Sequence, residues 1–317
     1  MLELERFYMS FSEDQTQLSL HHILENRWKT SAQSIMLLGE GVYGRCYGVT
    51  FGASPYRAIV KIHKYPGMAD QERRQLIALH NHVPVPVPQV YAYPPETELG
   101  DAIVMEWLDG QSCPKPEMFS YTLRASLQRQ VVDLLLKLHS VEHLQGYGSF
   151  DGPFYPRWWD YYGQRVRYTY QAIINDEQAC SYLGSQVLAL MEHTLEHGER
   201  ILGTSAGRPV LLHGDFCFGN LLFDVHTWRI SGLIDPLDAE WGDRELDLVN
   251  LINGHMLHFE LLNRYRETMD LGPCFPLRYW FYQIWKWLFY HVRVRAKCRE
   301  WVLRCGRELE KAMDRYL

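Results

Sequence analysis

The apolar positions change period several times along the chain, and each change marks an element. Leu20, Ile23 and Leu24 recur at helical spacing and predict a short helix over Ser19–Trp28. From Ile35 to Ile62 the period falls to roughly two, the spacing of strands. Within that stretch, GVYGRCYGVTFG, the turn-like Gly52-Ala53-Ser54-Pro55 and Ala58-Ile59-Val60-Lys61-Ile62 read as two strands joined by a loop. Ala69–His80 returns to helical spacing. Val83-Pro84-Val85-Pro86-Val87-Pro88 cannot be helix interior, because each proline lacks an N–H and biases its predecessor toward extended backbone. Ala102–Trp107 has the composition of a buried strand, and Leu108-Asp109-Gly110 ends it with turn residues. A boundary therefore falls after residue 108, separating a β-rich first lobe, 1–108, from a second lobe, 109–317.

The second lobe is mainly helical. It opens with Leu123, Leu127, Val131, Leu134, Leu135 and Leu138 at three- and four-residue intervals. Helical spacing resumes after an aromatic segment, Gly146–Tyr162, and continues toward Ile201, before a short apolar strand at Val210–Leu212. GPFYPRWWDYYG, residues 152–163, fits either a substrate-side feature or aromatic packing between helices. Tyr279–Tyr290 is apolar nearly all round, as a helix enclosed by neighbours must be. There is no internal repeat.

Composition narrows the class. With 32 Lys plus Arg against 38 Asp plus Glu, the net charge is −6, leaving no basic excess to neutralise a nucleic-acid backbone. The most apolar stretch, Tyr279–Val292, includes Gln283, Lys286 and His291 and falls short of the roughly 20 residues a bilayer span needs. The N-terminal MLELERFYMSFSEDQTQ carries acids where a secretory signal starts basic. The seven cysteines are odd in number, scattered and without a CxxC pair, which fits a reducing, cytoplasmic setting. His193-Thr194-Leu195-Glu196-His197 matches a metalloprotease pattern but reads as a solvated helix face.

Two motifs carry chemistry. Gly39-Glu40-Gly41-Val42-Tyr43-Gly44 is a GxGxxG, in which missing side chains let backbone amides approach phosphate oxygens. Such glycines open a helix in a dinucleotide fold and cap a hairpin in a kinase; strand-like sequence follows here, and Lys61 sits 61 − 44 = 17 residues on, in Ala-Ile-Val-Lys-Ile. A glycine-rich hairpin with an edge-strand lysine is the structural alternative. The second motif is Leu211-Leu212-His213-Gly214-Asp215-Phe216-Cys217-Phe218-Gly219-Asn220-Leu221-Leu222, a polar loop between apolar strands. Phosphoryl transfer to a hydroxyl needs a carboxylate to take the proton and oxygen ligands for Mg²⁺, and Asp215 and Asn220 supply both types. Strand Ile230–Ile234 ends in Asp235, where a hairpin return brings a second metal carboxylate beside Asn220. Singly, His213 reads as a core histidine, Asp215 and Asp235 as turn residues and Asn220 as a cap. The chain order of the whole set favours chemistry.

With these residues the sequence resembles the aminoglycoside phosphotransferase and choline kinase group, small-molecule kinases of protein-kinase-like fold, over about Ile35–Leu251. HGDFCFGN matches its HGDxxxxN motif, Leu-Ile-Asp235 its second metal motif, and Gly242-Asp243-Arg244-Glu245-Leu246-Asp247-Leu248 its GDxxxDL. The resemblance implies a bilobed α+β fold with a small β-rich N-lobe and a larger helical C-lobe. It implies ATP as phosphate donor, Asp215 as catalytic base, Asn220 and Asp235 as Mg²⁺ ligands, Lys61 on the phosphates and Glu72 pairing with Lys61. Gly39, Gly41 and Gly44 would lie over the phosphates. Val104-Met105-Glu106-Trp107-Leu108 resembles the adenine hinge, with backbone groups of Glu106 and Leu108 meeting the base. His213 and Asp247 would be structural supports of the catalytic loop.

Cys217-Phe218 replaces a common His-Pro of relatives, and neither is a required ligand. Asp235-Pro236 stands where protein kinases carry Asp-Phe-Gly, and Asp243 follows only 243 − 235 = 8 residues later, leaving no room for an activation segment to dock a polypeptide. The expected reaction is phosphorylation of a hydroxyl on a small sugar-like or aminated acceptor; a non-catalytic nucleotide- or partner-binding module and a protein kinase are the alternatives. Asp235-Pro236 and the segment around Trp158 also resemble fructosamine kinases. Asp151, Asp160, Asp238, Glu240 and Glu245 are available to line a site for a cationic acceptor or to form solvated surface. Neither nucleic acid nor membrane is an expected partner, and the oligomeric state is not legible.

Overall fold

The computed structural model describes residues 13–29, 31–93, 97, 99–112, 119–205, 207–252 and 254–317. Most of the N-terminal segment read for an export signal, and Cys113, lie outside them. The chain forms two compact units: 1–113 with 219–237, and 114–218 with 238–317. Relative to a single cut after residue 108, the first unit also includes 219–237, because a short strand after the boundary recruits that ribbon by hydrogen bonding.

In the first unit, α1 (Glu13–Trp28) is followed by β1 (Ala32–Glu40), β2 (Gly44–Phe51), β3 (Arg57–His63), α2 (Met68–His80), β4 (Val90–Ala92) and β5 (Asp101–Glu106). The five strands form an antiparallel sheet ordered β1-β2-β3-β5-β4. Leu20 and Leu24 of α1 pack with Tyr47, Val49, Phe51, Ala58, Val60, Ile62 and Val104, every second residue of their strands, so period-two burial fixes which side each residue faces. The opposite parity, Cys46, Lys61 and Ile103, forms a cross-strand row. Sequence periodicity shows strand spacing from Ile35 but resolves only two separate strands up to Ile62. The third, β1, is an edge strand whose side chains are mostly exposed, so its alternation is weak. β6 (Gln111–Ser112), β8 (Leu221–Phe223) and β9 (Ile230–Leu233) form a second sheet in the order β6-β8-β9, and Leu233 N–H donates to the Pro86 carbonyl of the proline segment at 2.9 Å.

The second unit contains α3 (Tyr121–Leu138), α4 (Trp158–Ile174), α5 (Glu177–Leu202), β7 (Val210–Leu211), β10 (Trp241–Gly242), α6 (Glu245–Leu248), α7 (Leu261–Thr268), α8 (Phe275–Val294) and α9 (Arg299–Tyr316). Ser120 caps α3 by accepting the Leu123 N–H, and the apolar stripe noted in the sequence is its buried face from Leu127 onward. α8 packs on α4, α5, α6 and α9, which explains an aromatic helix with almost no polar face. Among the described residues no helix is long and apolar enough to cross a membrane.

Candidate active site

In the first unit β1 and β2 meet through Gly39 opposite Cys46 and Glu40 opposite Arg45, and the Gly41 N–H closes the turn on the Gly44 carbonyl at 2.8 Å. Glu40 is held by Arg45 at 3.2 Å and Lys64 at 3.1 Å. The three glycines serve different ends. A Cβ on Gly44 would lie 2.2 Å from the Ile62 carbonyl oxygen, so the close approach of β2 to β3 accounts for this glycine. A Cβ on Gly39 would meet nothing within 4 Å, and one on Gly41 only the Gly44 carbonyl at 3.9 Å. Open backbone, the property a phosphate cradle needs, belongs to the first two.

Lys61 lies across from Cys46 on β2, and its ammonium reaches Glu72 Oε1 of α2 at 2.9 Å and Asp235 Oδ1 at 2.6 Å. Burial pushes the Glu72 carboxyl up, but the Lys61 ammonium outweighs it and holds the group down at about 2. Burial likewise opposes the charge on Lys61, and Glu72 followed by Asp235 more than offsets it. The Glu72 Oε2 also lies 2.7 Å from His63 Nε2, out of line for a hydrogen bond. Burial raises the neighbouring Cys46 thiol to about 11, so it stays protonated.

Asn220 immediately precedes β8 and Asp235 closely follows β9. Leu221 pairs with Leu233, and the Ile234 N–H donates to the Asn220 carbonyl at 3.0 Å, so the antiparallel ribbon brings both residues to one end. Asp235 has φ 54°, a left-handed conformation that aspartate tolerates better than most residues. An amide oxygen and a carboxylate are hard oxygen donors, the sparse set that suits Mg²⁺ when phosphate and water complete its shell. Among the described residues no three His, Cys, Asp or Glu side chains gather as a metal site. At the end of β5 the Glu106 N–H donates to the Gln89 carbonyl at 2.8 Å, and the Trp107 indole fills the place a side chain on Gly48 would take. Leu108, partly buried, follows it.

In the second unit, β7 runs into His213-Gly214-Asp215. The fully buried Asp247 of α6 accepts the His213 N–H through Oδ2 at 2.9 Å and the Gly214 N–H through Oδ1 at 2.8 Å. His139 Nε2 lies 3.4 Å from the same Oδ2, while its Nδ1 pairs with the Tyr265 hydroxyl at 2.8 Å. Burial pushes the Asp247 carboxyl up; the hydrogen bond from His139 and the donors of the His213 loop prevail and leave it below the ordinary value. Gly214 has φ 80°, a conformation that favours glycine at the residue before Asp215. The His213 ring is buried, edge-on to Phe216 at 6.0 Å. Asp215 is half-buried, and its Oδ1 accepts the Asn250 amide at 3.2 Å and the Tyr290 hydroxyl at 3.5 Å. Lys286 Nζ donates to the Gly214 carbonyl at 3.4 Å.

Residues 34–281 match the phosphotransferase enzyme family APH. The chain belongs to that family. This phosphotransferase is 23% identical to the uncharacterized protein YcbJ of Escherichia coli K12 over 237 residues, 73% of this chain and 77% of YcbJ; YcbJ of Shigella flexneri matches equally. Its fold is that of three solved proteins. A Haemophilus somnus protein described as a "putative fructosamine-3-kinase" aligns with TM-score 0.70 and 18% identity over 94% of this chain and 97% of that one. A thermostable mutant of aminoglycoside phosphotransferase APH(4)-Ia, in ternary complex with ADP and hygromycin B, gives 0.68 and 17% over 93% and 98%. The GDP complex of aminoglycoside 2'-phosphotransferase-IIIa gives 0.63 and 18% over 96% and 100%.

Within this phosphotransferase, four of the five acids considered for a cationic acceptor are already paired with arginine. Asp160 pairs with Arg157 at 2.6 Å, Asp238 with Arg293 at 3.2 Å, Glu240 with Arg165 at 2.8 Å and Glu245 with Arg278 at 2.5 Å. The aromatic segment is largely packing: Trp158 and Tyr162 are buried and stacked, and the Trp158 indole donates to the Tyr282 hydroxyl. His193 and His197 stand on α5 with His197 Nδ1 bonded to the His193 carbonyl, the geometry of a helix face. Asn250, Tyr290 and Lys286 were not identified from sequence as site residues. The one signal for Lys286 is a lysine inside an otherwise aromatic helix; Asn250 and Tyr290 follow no local pattern.

Proposed function

We propose that this phosphotransferase is an ATP- and Mg²⁺-dependent kinase acting on a hydroxyl of a small, sugar-like acceptor. The observation that carries the reading is the Lys61 ammonium, fixed between Glu72 and an Asp235 that shares its ribbon end with Asn220. Lys61 binds nucleotide phosphates, the open backbone at Gly39 and Gly41 lies over them, and Gly44 keeps the hairpin close to β3. The Glu106 N–H is taken, so its carbonyl, with the Leu108 amide, meets the base. The Asn220 amide oxygen and the Asp235 carboxylate hold Mg²⁺, which when bound neutralises phosphate charge. Nucleotides bound to two of the structural relatives support the donor class.

Asp215 takes the acceptor's hydroxyl proton as the alcohol oxygen bonds to the γ-phosphorus and the bond from that phosphorus to the oxygen of the departing ADP breaks. Asn250 and Tyr290 orient its carboxylate, while Asp247 fixes the backbone that presents it. The test is Asp215→Asn, whose amide oxygen still accepts from Asn250 but cannot take the proton. ADP formation should fall by about 10²–10⁴-fold, with stabilisation by ATP and Mg²⁺ retained. Turnover comparable to the unsubstituted protein would refute the assignment of the base.

A further inference from the structure

Lys286 is 9% exposed, yet among the described residues its ammonium has only a 3.4 Å contact with the Gly214 carbonyl and the Tyr290 ring, whose centroid is 5.7 Å away. Among the described residues no carboxylate lies within 4.0 Å of it. A charge this far out of water needs a counter-charge, since an unpaired buried ion is strongly unfavourable.

The nearby acids do not supply one. Lys286, Phe289, Tyr290 and Arg293 lie at i, i+3, i+4 and i+7 on α8, one face of the helix. Along that face Arg293 holds Asp238 and sits over the Phe289 ring at 4.9 Å; Arg165 of α4 holds Glu240 and lies 5.6 Å from the same ring. Both carboxylates are committed to guanidinium groups, and Asp215, next to Gly214 in the chain, is held by Asn250 and Tyr290. Among the described residues, the acids along this face of α8 are therefore already engaged, while its lysine meets only a carbonyl and a ring. The nucleotide phosphates already have Lys61 in the first unit.

We propose that Lys286 is the anion-binding residue of the acceptor site and that the acceptor is a small hydroxyl compound bearing a carboxylate or phosphate. This rests on the kinase reading above. Lys286 is a specificity residue: one anionic oxygen of the acceptor takes a charge-assisted hydrogen bond from Nζ, placing a hydroxyl of the same molecule at Asp215.

The test uses gluconate, glucose 6-phosphate, glucose and glucosamine as acceptor probes, with the full chain and its Lys286→Met and Lys286→Arg variants. Thermal stabilisation is read with AMP-PNP and Mg²⁺ saturating, so that the nucleotide subsite is filled, and ADP formation is read with ATP. Gluconate, glucose 6-phosphate or both should stabilise the unsubstituted protein beyond glucose and glucosamine. Lys286→Met should weaken that response, or raise the acceptor KM, by about 10–100-fold, and Lys286→Arg should restore part of it. Nucleotide stabilisation should persist in both variants, which also shows that they fold. Equal responses to charged and neutral probes, a preference for glucosamine, or Lys286→Met losses that fall equally on all acceptors would overturn the proposal. Absence of any nucleotide effect in the unsubstituted protein would instead refute the kinase reading, and the probes would then be compared without nucleotide.

Discussion

Replacing Asp247 with asparagine tests how the loop that bears Asp215 is held. The two carboxylate oxygens each accept one backbone N–H, from His213 at 2.9 Å and Gly214 at 2.8 Å, in a fully buried setting. An asparagine can offer only one oxygen, so its NH₂ must face the other N–H, donor against donor. One hydrogen bond to a charged acceptor, worth about 1.5–3 kcal/mol, is lost, and a buried amide left unsatisfied costs about 1–3 kcal/mol more. The bond that survives also weakens, because its acceptor is now neutral. A loss of roughly 3–5 kcal/mol follows. Seven of the ten tryptophans, at 158, 159, 241, 280, 285, 287 and 301, belong to the second unit, so tryptophan fluorescence in a urea titration reports mainly on it. The expected result is a lowered midpoint for Asp247→Asn together with loss of turnover. Asp215→Asn, by contrast, loses turnover alone. A change in unfolding free energy below about 0.5 kcal/mol for Asp247→Asn would refute the idea that this carboxylate anchors the loop.

Two other perturbations examine the first unit. Gly44→Ala places a Cβ against the Ile62 carbonyl at 2.2 Å and should cost about 1–3 kcal/mol, seen as faster hydrogen exchange across β2 and β3, whereas Gly39→Ala meets open space and should leave exchange unchanged. Faster exchange in Gly39→Ala alone would reverse that assignment. Because the folded Glu72 pKa is depressed to about 2 from an ordinary 4.5, its contribution is complete above pH 4.5 and is lost as the pH falls toward 2. Acid titration of stability should therefore be shallower in that window for the neutral double variant Glu72→Gln/Lys61→Met, and identical acid profiles would contradict the pairing.

What the sequence revealed was whatever is encoded locally. HGDFCFGN fixes Asp215 and Asn220 within one loop, and the strand ending at Asp235 implies a ribbon whose return lies beside Asn220, as the Ile234–Asn220 hydrogen bond shows. The helix bearing Glu72 begins only a few residues after β3, so its approach to Lys61 is a short-range event. By contrast β1, though inside the stretch of strand spacing, was not resolved as a strand of its own, because an exposed edge strand barely alternates. Glycine spacing could not separate Gly44, needed by the sheet, from Gly39 and Gly41, because that distinction depends on how near β3 comes. Which of the acids available to a cationic acceptor are already engaged was not legible for the same reason: Asp238 and Glu240 meet arginines 55 and 75 residues away in sequence. No local pattern announces such pairs.

The stretch from Asp235 to Asp243 shows why the acceptor is harder to read than the chemistry. Asp235 engages Lys61, Asp238 engages Arg293, and Glu240 takes Tyr161 and Arg165 while its carbonyl accepts the Leu212 N–H. Trp241 pairs with Leu211 and exchanges hydrogen bonds with Gly148, and Asp243 accepts from Tyr282 and from the Glu245 N–H. With five of its nine residues so committed, this stretch has little left to dock a polypeptide. The side chains seen at Asp215 lie outside the motifs: Asn250, and Tyr290 of α8. Arg165 and Arg293 are engaged by Glu240 and Asp238, so on that face of α8 the one lysine, Lys286, is the residue on which the proposed acceptor preference turns.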